Sequence, residues 1–533
     1  MSKRIISFLF VIVLASAVLS CSKQETSEKV EKEISVLSNG KFIPGTYEGK
    51  ATGYGGEIDV TVVLSQERIE SITCNGENET NGIGLVAVEE LPKEIVSRQS
   101  VHVDAISGAT ITSTAIKDAV EQALTQAGAD VSTLVPISEK PKEAVTPIKE
   151  ELSIDLLVIG AGGAGITAAL EAKSQGLDVI VLEKQRMAGG NTLKATQGRD
   201  DSIKTGQENS GTYFIASWLS KLKENQVEIM FQTKATKLIM EHGKILGVVA
   251  TGEAKDYQIR CKAVVLATGG FGANQEMISV FRRDYSKYKT MNMDGTLGDG
   301  ILMAQEVGAK VVHMDQIQVY PTVEMKTNTI IAESLRDYGA ILVNQNGERF
   351  FNENSSRDLL SKAIMAQEGE YAYLIFDQQL FDRLSVINDY QSLDLVRRAD
   401  KVTNLAVELG VDIETLNKTI SEWNTNLSSG LGDNYNRELK GFQPISQAPY
   451  YAIKVIPAIH YTMGGVEVTA KAEVVSETGL VIPGLYAAGE VTGGIQGEEK
   501  ADSNTIEDLI HYGRMAAQSA AIYIKTQYNT EKY

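Results

Sequence analysis

Leu156-Leu157-Val158-Ile159-Gly160-Ala161-Gly162-Gly163-Ala164-Gly165 is the stretch that decides the fold. Four consecutive apolar residues read as a buried strand, the glycines follow in the pattern G-x-G-x-x-G, and residues 166–174 continue with helical texture. Strand before and helix after turn a common glycine pattern into a specific one. Gly160 makes the tight turn, Gly162 lets a pyrophosphate touch backbone, and Gly165 packs helix on strand. The helix N-terminus then offers its partial positive charge to phosphate. A second strand, Val179-Ile180-Val181-Leu182, ends in Glu183, whose carboxylate is placed to accept from ribose hydroxyls and disfavours a 2′-phosphorylated ligand. The stretch predicts a dinucleotide site.

Working outward, strands and helices alternate from residue 154 to a last helix from 505 to about 525, which reads as an α/β domain. Upstream, Ile58-Asp59-Val60-Thr61-Val62-Val63-Leu64 alternates as a half-buried strand, and helical patterns lie near 86–96 and 112–127. Residues 40–135 therefore read as an α+β module, and 136–151, rich in Pro, Lys and Glu, as a linker. With 533 residues, about three units are expected at roughly 150 residues each. A formal charge of -18 repels phosphate backbones and excludes nucleic acid as a partner. Lys3 and Arg4 precede an apolar run at 5–19, too short for a spanning helix, which reads as a signal peptide. Val18-Leu19-Ser20-Cys21 resembles a bacterial lipobox, which implies cleavage after residue 20, lipidation of Cys21, a tether at 22–39 and a body outside the cytoplasm, lipid-anchored at the outer face of the cell membrane or periplasmic. Cys74 and Cys261 are then the only thiols left, too few for a disulfide framework, and no Cys-x-x-Cys-His is present for a c-type haem. With five histidines, no metal site is expected.

Three further stretches carry a family resemblance: Gly189-Gly190-Asn191-Thr192, Ala267-Thr268-Gly269-Gly270-Phe271 and Gly484-Leu485-Tyr486-Ala487-Ala488-Gly489-Glu490. In order and spacing they resemble the FAD contacts of the fumarate reductase and succinate dehydrogenase flavoprotein family over nearly all of 152–525. The resemblance implies one non-covalent FAD in a Rossmann-like α/β domain at 152–290 and 449–533, with an α+β capping domain for substrate inserted at 291–448. It extends the cofactor set from Gly160, Gly162, Gly165 and Glu183 to Gly163, Gly190, Asn191, Thr192, Gly269, Asp299 and Glu490. Asp104-Ala105-Ile106-Ser107-Gly108-Ala109-Thr110 resembles the motif of FMN-binding domains whose last Thr holds FMN through a phosphoester. It implies one covalent FMN on Thr110, a flavin transferase as partner, and an electron-input role for residues 40–135.

In the same family an Arg protonates the substrate α carbon while reduced FAD delivers hydride from N5 to the β carbon. The segment 344–358 is similar to the one ending in that residue, which implies Arg357 as acid, with Glu333 and Arg336 of Ala332-Glu333-Ser334-Leu335-Arg336 as its proton relay. His460 in Ile459-His460-Tyr461-Thr462-Met463-Gly464-Gly465 is similar to the family's substrate-carboxylate histidine. The fumarate clamp departs from the pattern. Tyr320 stands where a His precedes Pro-Thr, Ala332 where a Thr precedes Glu, and Lys500 in Gln496-Gly497-Glu498-Glu499-Lys500 where an Arg ends His-Gly-Ala-Asn-Arg. Lys does not replace a bidentate Arg at a planar carboxylate. These residues imply a reductase of the C=C bond of a 2-enoate with one carboxylate, urocanate-, cinnamate- or acrylate-like rather than fumarate, fed by a quinol- or flavin-based donor. Fumarate reduction, a dehydrogenase of the 3-ketosteroid type, and a non-catalytic flavin electron carrier are the alternatives left open.

Overall fold

The computed structural model describes residues 41–80, 82–106, 109–134, 136, 148–194, 210–253, 255–324, 326–429, 432–497 and 505–528. Cys21 and residues 498–500, with Lys500 among them, lie outside the described residues. The chain divides into two compact units, Met1–Ala144 and Val145–Tyr533.

In the smaller unit, strands Gly45–Thr52, Glu57–Leu64 and Ile69–Asn75 form an antiparallel sheet in chain order. Alternation places Ile58, Val60, Val62 and Leu64 in the core, because successive side chains of a strand point to opposite faces. Helix Thr110–Gln126 packs on the first two strands and helix Gly84–Arg98 on the third. Contact is closest at Gly49, where a Cβ would lie 1.9 Å from the Ala119 carbonyl oxygen.

Among the described residues the larger unit holds two large sheets and a small pair, Val311–Val312 with Gly465–Val466. The first runs in the order Glu473–Val475, Val481–Ala487, Lys255–Leu266, Ile148–Ile159, Val179–Leu182, Glu228–Met230, with the hairpin Lys234–Glu241 and Lys244–Thr251 paired onto Lys255–Leu266. Its centre is parallel, with Ile159 opposite both Leu182 and Leu266, so the strand ends converge beside the glycine turn. Helix Gly163–Ser174 covers the sheet and packs against the last helix, Thr505–Tyr528. The central strand begins at Ile148, four residues inside the stretch expected to be linker. Its early residues pair with Lys255–Leu266 and so gain ladder hydrogen bonds that composition does not reveal.

The second sheet runs Thr329–Ile330, Ile317–Glu324, Tyr450–Thr462, Ala372–Asp377, Ile341–Val343, with Lys289–Thr290 and Val396–Ala399 also on the long middle strand. That middle strand is the main departure from the sequence reading, which gave 449–533 to the cofactor part. Tyr450–Thr462 instead pairs with Ala372–Asp377 and Ile317–Glu324, and it carries His460 and Tyr461 at its end.

Candidate active site

A cavity of about 580 Å³ is lined by residues of both large sheets of the larger unit. One end is built by backbone. Gly160 has φ +104°, a conformation open to glycine, and a Cβ there would lie 2.3 Å from the Ala267 carbonyl oxygen. A Cβ at Gly165 would lie 1.9 Å from the Gly160 carbonyl oxygen. These two glycines are therefore required by protein packing. Gly162 is different: a Cβ there would meet no protein atom nearer than 3.7 Å, so its bareness serves the cavity side. Thr192 Oγ1 accepts from Gly163 N at 3.0 Å and Gly189 N donates to Ala161 O at 2.8 Å, which ties the segment Gly189-Gly190-Asn191-Thr192 to the first turn. Gly190 and Gly269 both line the cavity with positive φ.

The acids divide into two roles. Glu183 accepts from the backbone N–H of Ala161 and of Gln185, each at 2.8 Å. Burial nevertheless pushes its carboxyl above the usual range, against those hydrogen bonds. Asp299 pairs with Lys184 and with Lys234 at 3.0 Å; burial works to raise its carboxyl, and the two lysines hold it below the usual range. Glu490 is buried and accepts from Thr462 N at 3.0 Å and Thr462 Oγ1 at 3.2 Å. Asn191 accepts from Met293 N at 2.8 Å and donates to Asn292 Oδ1 at 2.6 Å. Glu183, Asp299, Glu490 and Asn191 all line the cavity. Thr268, between the second strand end and Gly269, also lines it, and its buried Oγ1 has no hydrogen-bond partner among the described residues. A bare glycine turn, a carboxylate in the cavity wall at the end of the second strand and an orphaned hydroxyl together fit a dinucleotide such as FAD.

At the other end side chains do the building. Arg357 opens helix Arg357–Met365, whose N-terminus is capped by Ser356 Oγ. Its Nε donates to Glu333 Oε1 at 2.8 Å, and Arg336 Nη2 donates to the same oxygen at 3.2 Å. A helix N-terminus disfavours a cation and favours an anion, so Glu333, itself first in helix Glu333–Asp337, offsets the charge of both arginines. Arg336 is held from behind: its Nη1 donates to Glu353 O at 2.7 Å, and Arg437 Nη2 donates to Arg336 O. Glu353 is fully buried and paired bidentately with Arg349 at 2.9 and 2.8 Å and with Arg437 at 2.9 Å.

Tyr320 and His460 complete this end. The Arg357 guanidinium lies 4.8 Å from the Tyr320 ring centroid, within cation–π range. The His460 ring stands edge-on to Tyr320 at 5.7 Å, and its Nδ1 lies 3.2 Å from Met291 Sδ. Tyr320 packs in one buried cluster with Met291, Val323, Ile330 and Ala458. Ala332 lends no hydroxyl, and its N–H is taken by Tyr390 Oη at 3.0 Å. The Tyr320 side of this end is thus apolar and aromatic, while Glu333, Ser334, Asp337 and His460 line the rest of it.

The structure brings Arg357, Glu333, Arg336, Tyr320 and His460 together and leaves Lys500 outside the described residues. Gln496 lines the cavity and donates to Asp508 at 2.8 Å. Sequence reasoning missed Lys194 and Tyr461, both in the cavity wall; Tyr461 follows His460 on one strand, and alternation sends it to the other face. In the smaller unit Thr110 begins its helix, while its side chain and residues 107–108 lie outside the described set. Buried Glu79, also missed, accepts from Thr112 Oγ1 at 2.7 Å and from Gly55 N at 3.0 Å.

The family model for the FAD binding domain matches residues 155–211 and 205–506. The chain belongs to the FAD-binding-domain family. A second model, the FMN-binding domain, matches residues 53–125, so this flavoprotein carries both domains. It is 32% identical to the probable fumarate reductase Ifc3 of Shewanella frigidimarina over 69% of this chain and 74% of that one. It is 29% identical to the urocanate reductase of Eggerthella lenta over 89% and 92%. The NADH:fumarate oxidoreductase of Klebsiella pneumoniae is 30% identical over 91% of this chain, which spans 59% of that protein's length. Among solved structures, the open conformation of a flavocytochrome c3 fumarate reductase superposes with a TM-score of 0.66 at 31% identity, covering 72% of this chain and 80% of that one.

Proposed function

We propose that this flavoprotein reduces the C=C bond of a 2-enoate that carries one carboxylate and a less polar far end. The observation that carries the reading is the Arg357–Glu333–Arg336 array held against Tyr320 on the apolar side of the pocket. When bound, FMN takes electrons from an outside donor and FAD supplies them to the substrate as hydride. The residues of the chain do the rest. Gly160, Gly162, Asn191, Thr192, Glu183 and Glu490 hold FAD; Arg357 gives its proton to the substrate carbon α to the carboxylate. An Arg is ordinarily always protonated, and it becomes a donor here because Glu333 sits within hydrogen-bond reach to return the proton and is itself bonded to Arg336.

The relatives named for fumarate and urocanate support reduction of an unsaturated acid. The apolar cluster around Tyr320 and the loss of a hydroxyl at Ala332 support a substrate other than fumarate, since a site lacking partners for a second carboxylate leaves that charge unpaired. Thr110 is the proposed FMN attachment point and Cys21 the proposed lipid anchor. The second rests on the sequence alone and places the enzyme outside the cytoplasm beside a quinol- or flavin-based donor.

Arg357→Ala tests the reading. Enoate reduction should fall by roughly 10² to 10⁴, while FAD content and electron transfer to small artificial acceptors persist. A variant that keeps enoate turnover would assign the proton to another group. A wild-type protein active only with artificial acceptors would favour the carrier.

A further inference from the structure

Lys194 ends the short helical turn Gly190–Lys194 that follows the cofactor-binding Gly189-Gly190-Asn191-Thr192. It lines the cavity, and its Nζ donates to the Met291 carbonyl oxygen at 2.6 Å. No carboxylate of a described residue forms an ion pair with it. An ammonium carries three donors, so one carbonyl among the described residues leaves it under-satisfied. Burial lowers its pKa to about 8 against the pull of Asp294, which works to raise it. A half-buried cation in this condition is costly unless something anionic arrives.

Its position says what arrives. Met291, which takes the Lys194 hydrogen bond on its carbonyl, touches His460 Nδ1 with its sulfur at 3.2 Å. His460 stands against Tyr320, and Tyr320 against Arg357. Asn328 Nδ2 reaches the same Met291 carbonyl at 3.3 Å, and its Oδ1 is buried without a partner among the described residues. One residue, Met291, therefore connects Lys194 to the end of the cavity beside the proposed acid.

We propose that Lys194 is a specificity-determining residue that binds the carboxylate of the substrate, taking charge-pairing work that the altered clamp does not do. This rests on the reductase reading above. It also explains how a pocket whose Tyr320 side is apolar selects an acid: the anion is held from the Lys194 and His460 side, and the far end of the substrate lies against Tyr320 and Ile330.

Holoprotein carrying Lys194→Met, of similar length and neutral, is the test. Saturated carboxylates and their uncharged amides are titrated against wild type and variant, and binding is read from the perturbation of flavin absorbance. The wild type should favour the carboxylate over the amide; in the variant that preference should drop by roughly ten- to hundredfold, with KM for an enoate rising in parallel and FAD content unchanged. Lys194→Arg should restore part of the preference. An equal carboxylate preference in wild type and Lys194→Met would overturn the proposal, as would loss of FAD from the variant, which would make Lys194 a cofactor residue. Because the titration needs no turnover, it still reports on Lys194 if no enoate is reduced and the reductase reading falls.

Discussion

The two ends of the cavity are built from different materials. The glycine-turn end is shaped by backbone against backbone: Gly165 sits where a Cβ would meet the Gly160 carbonyl at 1.9 Å, and Gly160 where one would meet Ala267. The opposite end is shaped by side chains gathered from helix Glu333–Asp337, strand Ile317–Glu324 and strand Tyr450–Thr462, with Arg357 paired to Glu333 in its wall. Backbone contacts admit one residue type, whereas side-chain pockets accept replacements that alter charge and keep the fold. The first end is therefore committed to a cofactor, and the second is free to change substrate.

Three substitutions would break or sharpen that contrast. The largest effect is expected for Gly165→Val, because the clash is with backbone and cannot be relieved by a rotamer change; FAD should be absent from the purified protein by absorbance, and retention of FAD would show that the turn gives way. Next is Tyr320→His, which puts a polar partner back beside Arg357. The ratio of kcat/KM for fumarate to that for a monocarboxylate enoate should rise by roughly ten- to hundredfold, with FAD content unaltered; an unchanged ratio would move the selectivity elsewhere. The smallest is Glu183→Gln, which keeps one carbonyl oxygen for the Ala161 or Gln185 N–H. FAD affinity measured by fluorescence should weaken by roughly fivefold to tenfold, and no change would mean that Glu183 serves the turn rather than the ligand.

The same contrast decides what could be read from the sequence. The strand end Leu156-Leu157-Val158-Ile159, its glycine turn and the helix after it are local, so their pattern survives in one dimension, whereas the start of that strand at Ile148 does not. The smaller unit was legible for a similar reason, from the alternation of Ile58, Val60, Val62 and Leu64 on one face. The partners of strand Tyr450–Thr462 at 317–324 and 372–377 could not be read from the sequence, because no local signal encodes such pairing. Arg357, Glu333 and Arg336 were reachable only through resemblance, since 21 residues separate Arg336 from Arg357 in the chain. Lys194 and Tyr461 went unread because each stands next to a motif residue and acquires meaning only from what lies across the cavity. The buried Arg349–Glu353–Arg437 group, which holds Arg336 in place, looks in sequence like ordinary surface charge.

The most direct test of the central claim is anaerobic reoxidation of the fully reduced, FMN-loaded protein, followed by flavin absorbance with fumarate, urocanate, cinnamates and acrylate added separately. Rapid reoxidation by a monocarboxylate with fumarate slow is the expected result; fast turnover of fumarate with the monocarboxylates inert would contradict it.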